Sequence, residues 1–170
     1  WDGDGKDTIG AFQREAAQFY LRNSNDAGNA DASFGFGAPG SNWLLLMGDW
    51  NGDGVDTIGS YDPAASQFYL RNSNSQGNAD LAFGFGTPGA NWTPVVGDWD
   101  GDGVDTIGLY DPWTGMFYLR NTFSTGMADV AFAYGAANHG WLPLVGDWNG
   151  DGVETVGMFL PSASTFFLRN

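Results

Sequence analysis

The chain predicts an all-β fold, and three observations carry that prediction. A single unit recurs at a fixed interval of 49 residues along the entire length. Glycine is abundant, at 27 residues, while the good helix formers Glu and Lys are reduced to Glu15, Glu154 and Lys6. Apolar residues come in runs of four to seven, rich in aromatic and β-branched types and bounded by Gly, Pro, Asn or Asp. The register is strict: Trp1, Trp50, Trp99 and Trp148 fall at the same place in each copy, as do Arg22, Arg71, Arg120 and Arg169. One array of repeats 1–49, 50–98 and 99–147, with a partial copy at 148–170, accounts for the sequence without insertion or deletion.

Each element of a copy has a local reason. "DTIGSYD" reads as a strand following an acidic loop, and the turn signal "DPAA" leads into "SQFYLRN". The polar stretch "SNSQGNA" separates this from "DLAFGFG", and "TPGAN" then turns the chain into "WTPVVGDW". "AFQREAAQFY" comes nearest to helical spacing, but its counterpart "SYDPAASQFY" has Pro63 in the middle, so strand-turn-strand is expected in both. Alternation along the second strand sends Phe19 and Leu21 to one face and Tyr20 and Arg22 to the other. Aromatics on both sides are what a sheet buried between two neighbours requires.

Four antiparallel strands in 49 residues predict a blade of a β-propeller, in which sheets radiate from an axis and pack face to face. A β-solenoid repeats in fewer residues, and a string of separate sandwiches could not bury enough surface in units this small. The expected count is fourteen strands, grouped three, four, four and three, or about three and a half blades. On this reading Trp1 follows a missing first strand, and closure needs further blades of a larger ring or a second chain. A four-bladed monomer with an open seam is the alternative.

The stretch "GDWNGDGVDTIG" at 48–59 carries the most chemistry, and "GDWDGDGVDTIG" and "GDWNGDGVETVG" repeat it. Asp49, Asn51 and Asp53 stand at positions one, three and five, so their oxygens can converge on one point. Gly54 allows a sharp turn where a Cβ would obstruct, and the Val55 carbonyl can face inward at position seven. Asp56 lies next. Oxygen donors in this number suit Ca²⁺, which accepts irregular shells of six to eight, better than Mg²⁺, which demands an octahedron. Zinc is disfavoured because no His or Cys is near.

"FGFGAPG" followed by "GDWNGDG" resembles the FG-GAP and VCBS-type repeats of integrin-like propellers and of many secreted bacterial proteins, over all 170 residues. The resemblance implies that the acidic loop joins the first two strands of a blade and binds calcium. It implies ligands at Asp49, Asn51, Asp53 and Val55; at Asp98, Asp100, Asp102 and Val104; and at Asp147, Asn149, Asp151 and Val153. The family pattern ends on an acid at position nine, whereas Thr57 is at nine here and acids stand at eight, as Asp56, Asp105 and Glu154. The first copy has Asp2, Asp4, Lys6 and Asp7 but no leading Asp, so of four sites it is expected to be the weakest.

Charge points the same way. These four stretches hold 13 of the 20 acidic residues, within a formal net charge of -14. Four divalent cations would leave -6, and the acidic balance excludes nucleic acid as a partner and disfavours anionic membrane surfaces. No apolar run is long enough for a membrane-spanning helix, and no Cys is present for disulfides or thiolate sites. Catalysis finds little to work with: His139 is the only His and lies in the loop "AANHGW", where its counterparts are Ser41 and Ala90. Trp43, Trp92 and Trp141 recur beside a turn, where they either fill space between sheets or stack on sugar rings. Trp113 breaks the repeat and is the better candidate for surface contact. The repeated Arg residues are expected to pair with Asp31, Asp80 and Asp129, with the partner of Arg169 lying beyond the chain. The function these features predict is a non-catalytic, calcium-stabilised binding or adhesion module of an exported protein, extracellular or at the cell surface, with a glycan or protein ligand. A purely architectural segment of a larger enzyme or assembly is the second expectation.

Overall fold

The computed structural model describes residues 1–170 and is built from fourteen strands in four antiparallel sheets. Sheet one contains β1 (Gly10–Gln13), β2 (Gln18–Leu21) and β3 (Ala32–Gly35). Sheet two contains β4 (Leu44–Gly48), β5 (Thr57–Asp62), β6 (Gln67–Leu70) and β7 (Leu81–Gly84). Sheet three repeats it with β8 (Thr93–Gly97), β9 (Thr106–Asp111), β10 (Met116–Leu119) and β11 (Val130–Ala133). Sheet four has β12 (Leu142–Gly146), β13 (Thr155–Leu160) and β14 (Thr165–Leu168). Strands pair in chain order within each sheet, and the grouping of three, four, four and three is the expected one. The "AFQREAAQFY" stretch is strand, 3₁₀ turn and strand, closed by Ala17 in a left-handed conformation.

Pairing places identical residues opposite one another in each copy. Tyr61 faces Phe68 and Phe68 faces Phe83 in sheet two, with ring centroids 4.5 and 5.6 Å apart. Tyr110, Phe117 and Phe132 repeat the ladder at 4.7 and 5.6 Å in sheet three. Such cross-strand aromatic pairs stabilise a sheet beyond their burial alone. These rings form one face of each sheet, and that face packs on the opposite face of the sheet that follows. Phe19 and Leu21 of sheet one cluster with Ile58 of sheet two. Phe68 and Leu70 of sheet two cluster with Ile107 and Leu109 of sheet three, and Phe117 and Leu119 of sheet three with Val156 and Met158 of sheet four. The core is therefore three equivalent interfaces in series. The first strands β4, β8 and β12 lie beside one another along one side of the stack.

The repeated Arg residues do something other than expected. The guanidinium of Arg71 donates to the Asn78 carbonyl and to Ser73 Oγ and Ser75 Oγ, both at 2.9 Å. Arg120 does the same with the Met127 carbonyl, Thr122 Oγ1 and Ser124 Oγ. Each Arg thus organises its own polar loop. The partner Asp residues cap the backbone instead, with Asp31, Asp80 and Asp129 each accepting from the N–H of the Asn that follows the Arg, at 2.8 Å. Contacts with these three Asp residues remain only as long pairs, 3.9 Å for Arg22–Asp31 and 3.8 Å for Arg120–Asp129, while Arg22 pairs closely with Asp26 inside its own loop, its Nε donating to Asp26 Oδ1 at 3.0 Å. Arg169 finds its neighbours within the chain, over the rings of Phe132 and Tyr134 at 5.3 and 5.9 Å.

Candidate metal centres

The acidic stretches at 49–56, 98–105 and 147–154 join the first strand of a sheet to the second, as β4 to β5, β8 to β9 and β12 to β13. Each is a tight loop wound around its first acid. Asp98 accepts at Oδ1 from the N–H of Gly101 (2.7 Å) and Asp102 (3.2 Å), and at Oδ2 from Gly103 (2.8 Å). Asp147 repeats this with Gly150, Asp151 and Gly152, and Asp49 with Asp53 and Gly54. At position five, Asp53, Asp102 and Asp151 each accept from the N–H of the Val two residues on, at 2.9 Å. Gly54 takes φ +82°, in the left-handed region, where the sequence required a sharp turn. These bonds from backbone N–H groups hold the Asp147 carboxyl below its ordinary pKa, the one from Gly152 most strongly.

The loops differ at position three. In the third loop Asp98, Asp100 and Asp102 bring one carboxylate oxygen each to within 4.8 Å of one another. In the second and fourth the amides of Asn51 and Asn149 donate to Asp53 Oδ2 and Asp151 Oδ2, both at 2.9 Å. The first loop is looser. Asp2 accepts only a long bond from Asp4 N–H (3.4 Å), and Lys6 Nζ sits 3.2 Å from Asp4 Oδ2. Tested by donor chemistry, the third loop fits a hard divalent cation: its donors are all oxygen, carry three negative charges and keep free lone pairs beyond the backbone bonds. The first fits least well, because an ammonium already neutralises one of its acids.

The position-eight acids of the third and fourth loops turn away from their own loops. Asp105 Oδ2 accepts from Asp49 N–H at 2.8 Å, and Asp105 N–H donates to the Asp49 carbonyl at 2.9 Å. Glu154 makes the same pair of bonds to Asp98, both at 2.9 Å. Each latch reaches back 56 residues to the first ligand position of the preceding loop, tying one sheet to the next. A glycine makes room for it. A Cβ on Gly48 would lie 3.0 Å from Asp105 Oδ2, and one on Gly97 2.6 Å from Glu154 Oε2. Burial pushes the Asp105 carboxyl up to about 6, against the bond from Asp49, and the nearby charges of Glu154, Asp56 and Asp49 push the same way. Glu154 is raised for the same first reason, burial. A cation between these acids would reverse that balance. Asp56 stays exposed, its carbonyl accepting from Asn74 Nδ2 at 2.9 Å, and Asp7 is held in the same way by Asn25.

The tryptophans separate into two kinds. Trp43 stacks on Tyr69 at 4.7 Å, Trp92 on Tyr118 at 4.9 Å, and Trp141 leans on Phe167 at 4.9 Å. Their faces are engaged by their own sheets. Trp113 is 65% exposed. His139 is exposed in its loop, where its Nδ1 hydrogen-bonds the Ala137 carbonyl. No helix is long and apolar enough to cross a membrane. No family model, curated protein or solved structure matches the chain.

Proposed function

We propose that this chain is a calcium-stabilised β-propeller module of an exported protein, non-catalytic, working as a binding or adhesion scaffold outside the cell or on its surface. The observation that carries this reading is the oxygen-only cluster of Asp98, Asp100 and Asp102 at the junction of two sheets, in a loop that recurs in register. The serial packing of four sheets, with β4, β8 and β12 side by side, supports the propeller. The FG-GAP and VCBS resemblance of the sequence supports both. A bound Ca²⁺ would be held by Asp98, Asp100, Asp102 and the Val104 carbonyl, with weaker equivalents in the second and fourth loops. Its charge would neutralise the loop acids and so stabilise the junction that Glu154 spans.

Thermal unfolding followed in calcium and in excess EGTA tests the reading. A free ion about a hundredfold above its dissociation constant adds roughly 2.7 kcal/mol per site, so chelation is expected to lower Tm by several degrees for each occupied loop. Superimposable melting curves would remove calcium from the account. The stacking of Trp43 and Trp92 inside their sheets favours the architectural version, in which the module positions other domains. A glycan array read with and without calcium separates the two, since calcium-dependent sugar binding supports recognition and its absence supports architecture.

A further inference from the structure

The three internal interfaces leave two sheet faces over, and the two are complementary. Sheet four presents the aromatic-ladder face with nothing upon it: Phe166 is 62% exposed and Leu168 50%, whereas Phe68 and Phe117, at the same place in the repeat, are 0% exposed. Sheet one presents the opposite face. Ile9 is 61% exposed, although Ile58 and Ile107 are 0% and Val156 2%. In every internal interface the first kind of face receives the second. We infer that sheet four of one molecule docks on sheet one of a second copy, continuing the same interface head to tail.

The polar groups agree with the apolar ones. Asp49 and Asp98 have their N–H and carbonyl latched by the position-eight acid of the next repeat, but Asp147 has neither bond. The acid that the repeat would offer it is Asp7 of the second copy, whose carboxylate is exposed and unpartnered. Charge adds a third match. Inside the chain, Val55, Val104 and Val153 come up against Gly3, Gly52 and Gly101 of the preceding loop, 2.9, 3.2 and 3.0 Å from the place a Cβ would take. At the open junction Gly150 would meet Lys6, the one copy with a cation at that position, beside the carboxylates of Asp147 and Asp151. Association of this kind is heterologous, so it closes into a ring where the rotation permits and otherwise extends as a filament.

Sedimentation of the full chain in calcium-containing buffer tests this, with Phe166→Glu and Ile9→Glu as single variants. The wild type is expected to pass from a species of 18.2 kDa to integer multiples of it as concentration rises. Each variant is expected to stay at the single mass, and their equimolar mixture to give a doubled mass and nothing larger, because one retains the sheet-one face and the other the sheet-four face. Asp7→Ala is expected to weaken wild-type association about tenfold. Both glutamates replace exposed side chains, and unchanged circular dichroism confirms their folds; Phe166→Ser and Ile9→Ser serve if either glutamate unfolds the chain. A wild type that remains monomeric, a variant that still self-associates, or a mixture that stays at the single mass overturns the inference. The first of these outcomes would assign the faces to a different occupant.

Discussion

Asp105→Ala is the sharpest single perturbation of the latch between sheets two and three. The substitution removes the acceptor 2.8 Å from the half-buried N–H of Asp49 and leaves that donor with no other partner. An orphaned buried donor costs about 1–3 kcal/mol, and a chain of this size loses roughly 2–4 °C of Tm per kcal/mol. The expected fall is therefore about 2–12 °C, read by intrinsic tryptophan fluorescence on heating. Asp105→Asn is the control that isolates the cause, because its amide oxygen can take the same bond without the charge that burial disfavours. It is expected to lie within about 1 kcal/mol of wild type when calcium is chelated. If Asp105→Asn proved as damaging as Asp105→Ala in chelator, the hydrogen bond could not be what joins the sheets. A wild-type Tm for Asp105→Ala would be equally fatal to the reasoning.

Other outcomes follow from the same contacts. Phe68→Ala empties a fully buried position between Tyr61 and Phe83 and is expected to cost about 3–5 kcal/mol in urea denaturation. Phe166→Ala, the same position of the repeat in sheet four, should cost under about 0.5 kcal/mol in dilute monomer, its ring being mostly exposed. Gly77→Ala puts a Cβ 2.4 Å from Arg71 Nη1 and should loosen the 73–78 loop, lowering stability by about 1–3 kcal/mol and exposing that loop to limited proteolysis. Ser164→Gly relieves an exposed left-handed residue at φ +49° and should raise stability by about 0.5–1 kcal/mol in the same denaturation assay.

Strands and their grouping were legible in the sequence because the signals are local. Runs such as "TIGSYD" carry β-formers between turn residues, and four aligned copies let Pro63 correct the helical look of "AFQREAAQFY". Loop composition likewise pointed to Asp98, Asp100 and Asp102, which do converge. The role of Asp105 and Glu154 was not legible. Their partners are backbone groups 56 residues away, and an N–H leaves no mark in a sequence. The offset of 56 is one repeat of 49 plus seven, which is the only trace the latch leaves. The Arg side chains misled for a similar reason: Asp residues nine positions on suggested ion pairs, while the acceptors used by Arg71 and Arg120 are mainly carbonyls and hydroxyls of the intervening loop.

A constant offset also governs how such a chain can change its length. Unequal crossover between two copies adds or deletes a whole number of sheets, and the newly adjoining acid still meets the backbone group it needs, so no novel contact has to be invented. Two or three residues slipped into a single acidic loop would shift that meeting point. The lineage can grow by whole units far more readily than by single residues.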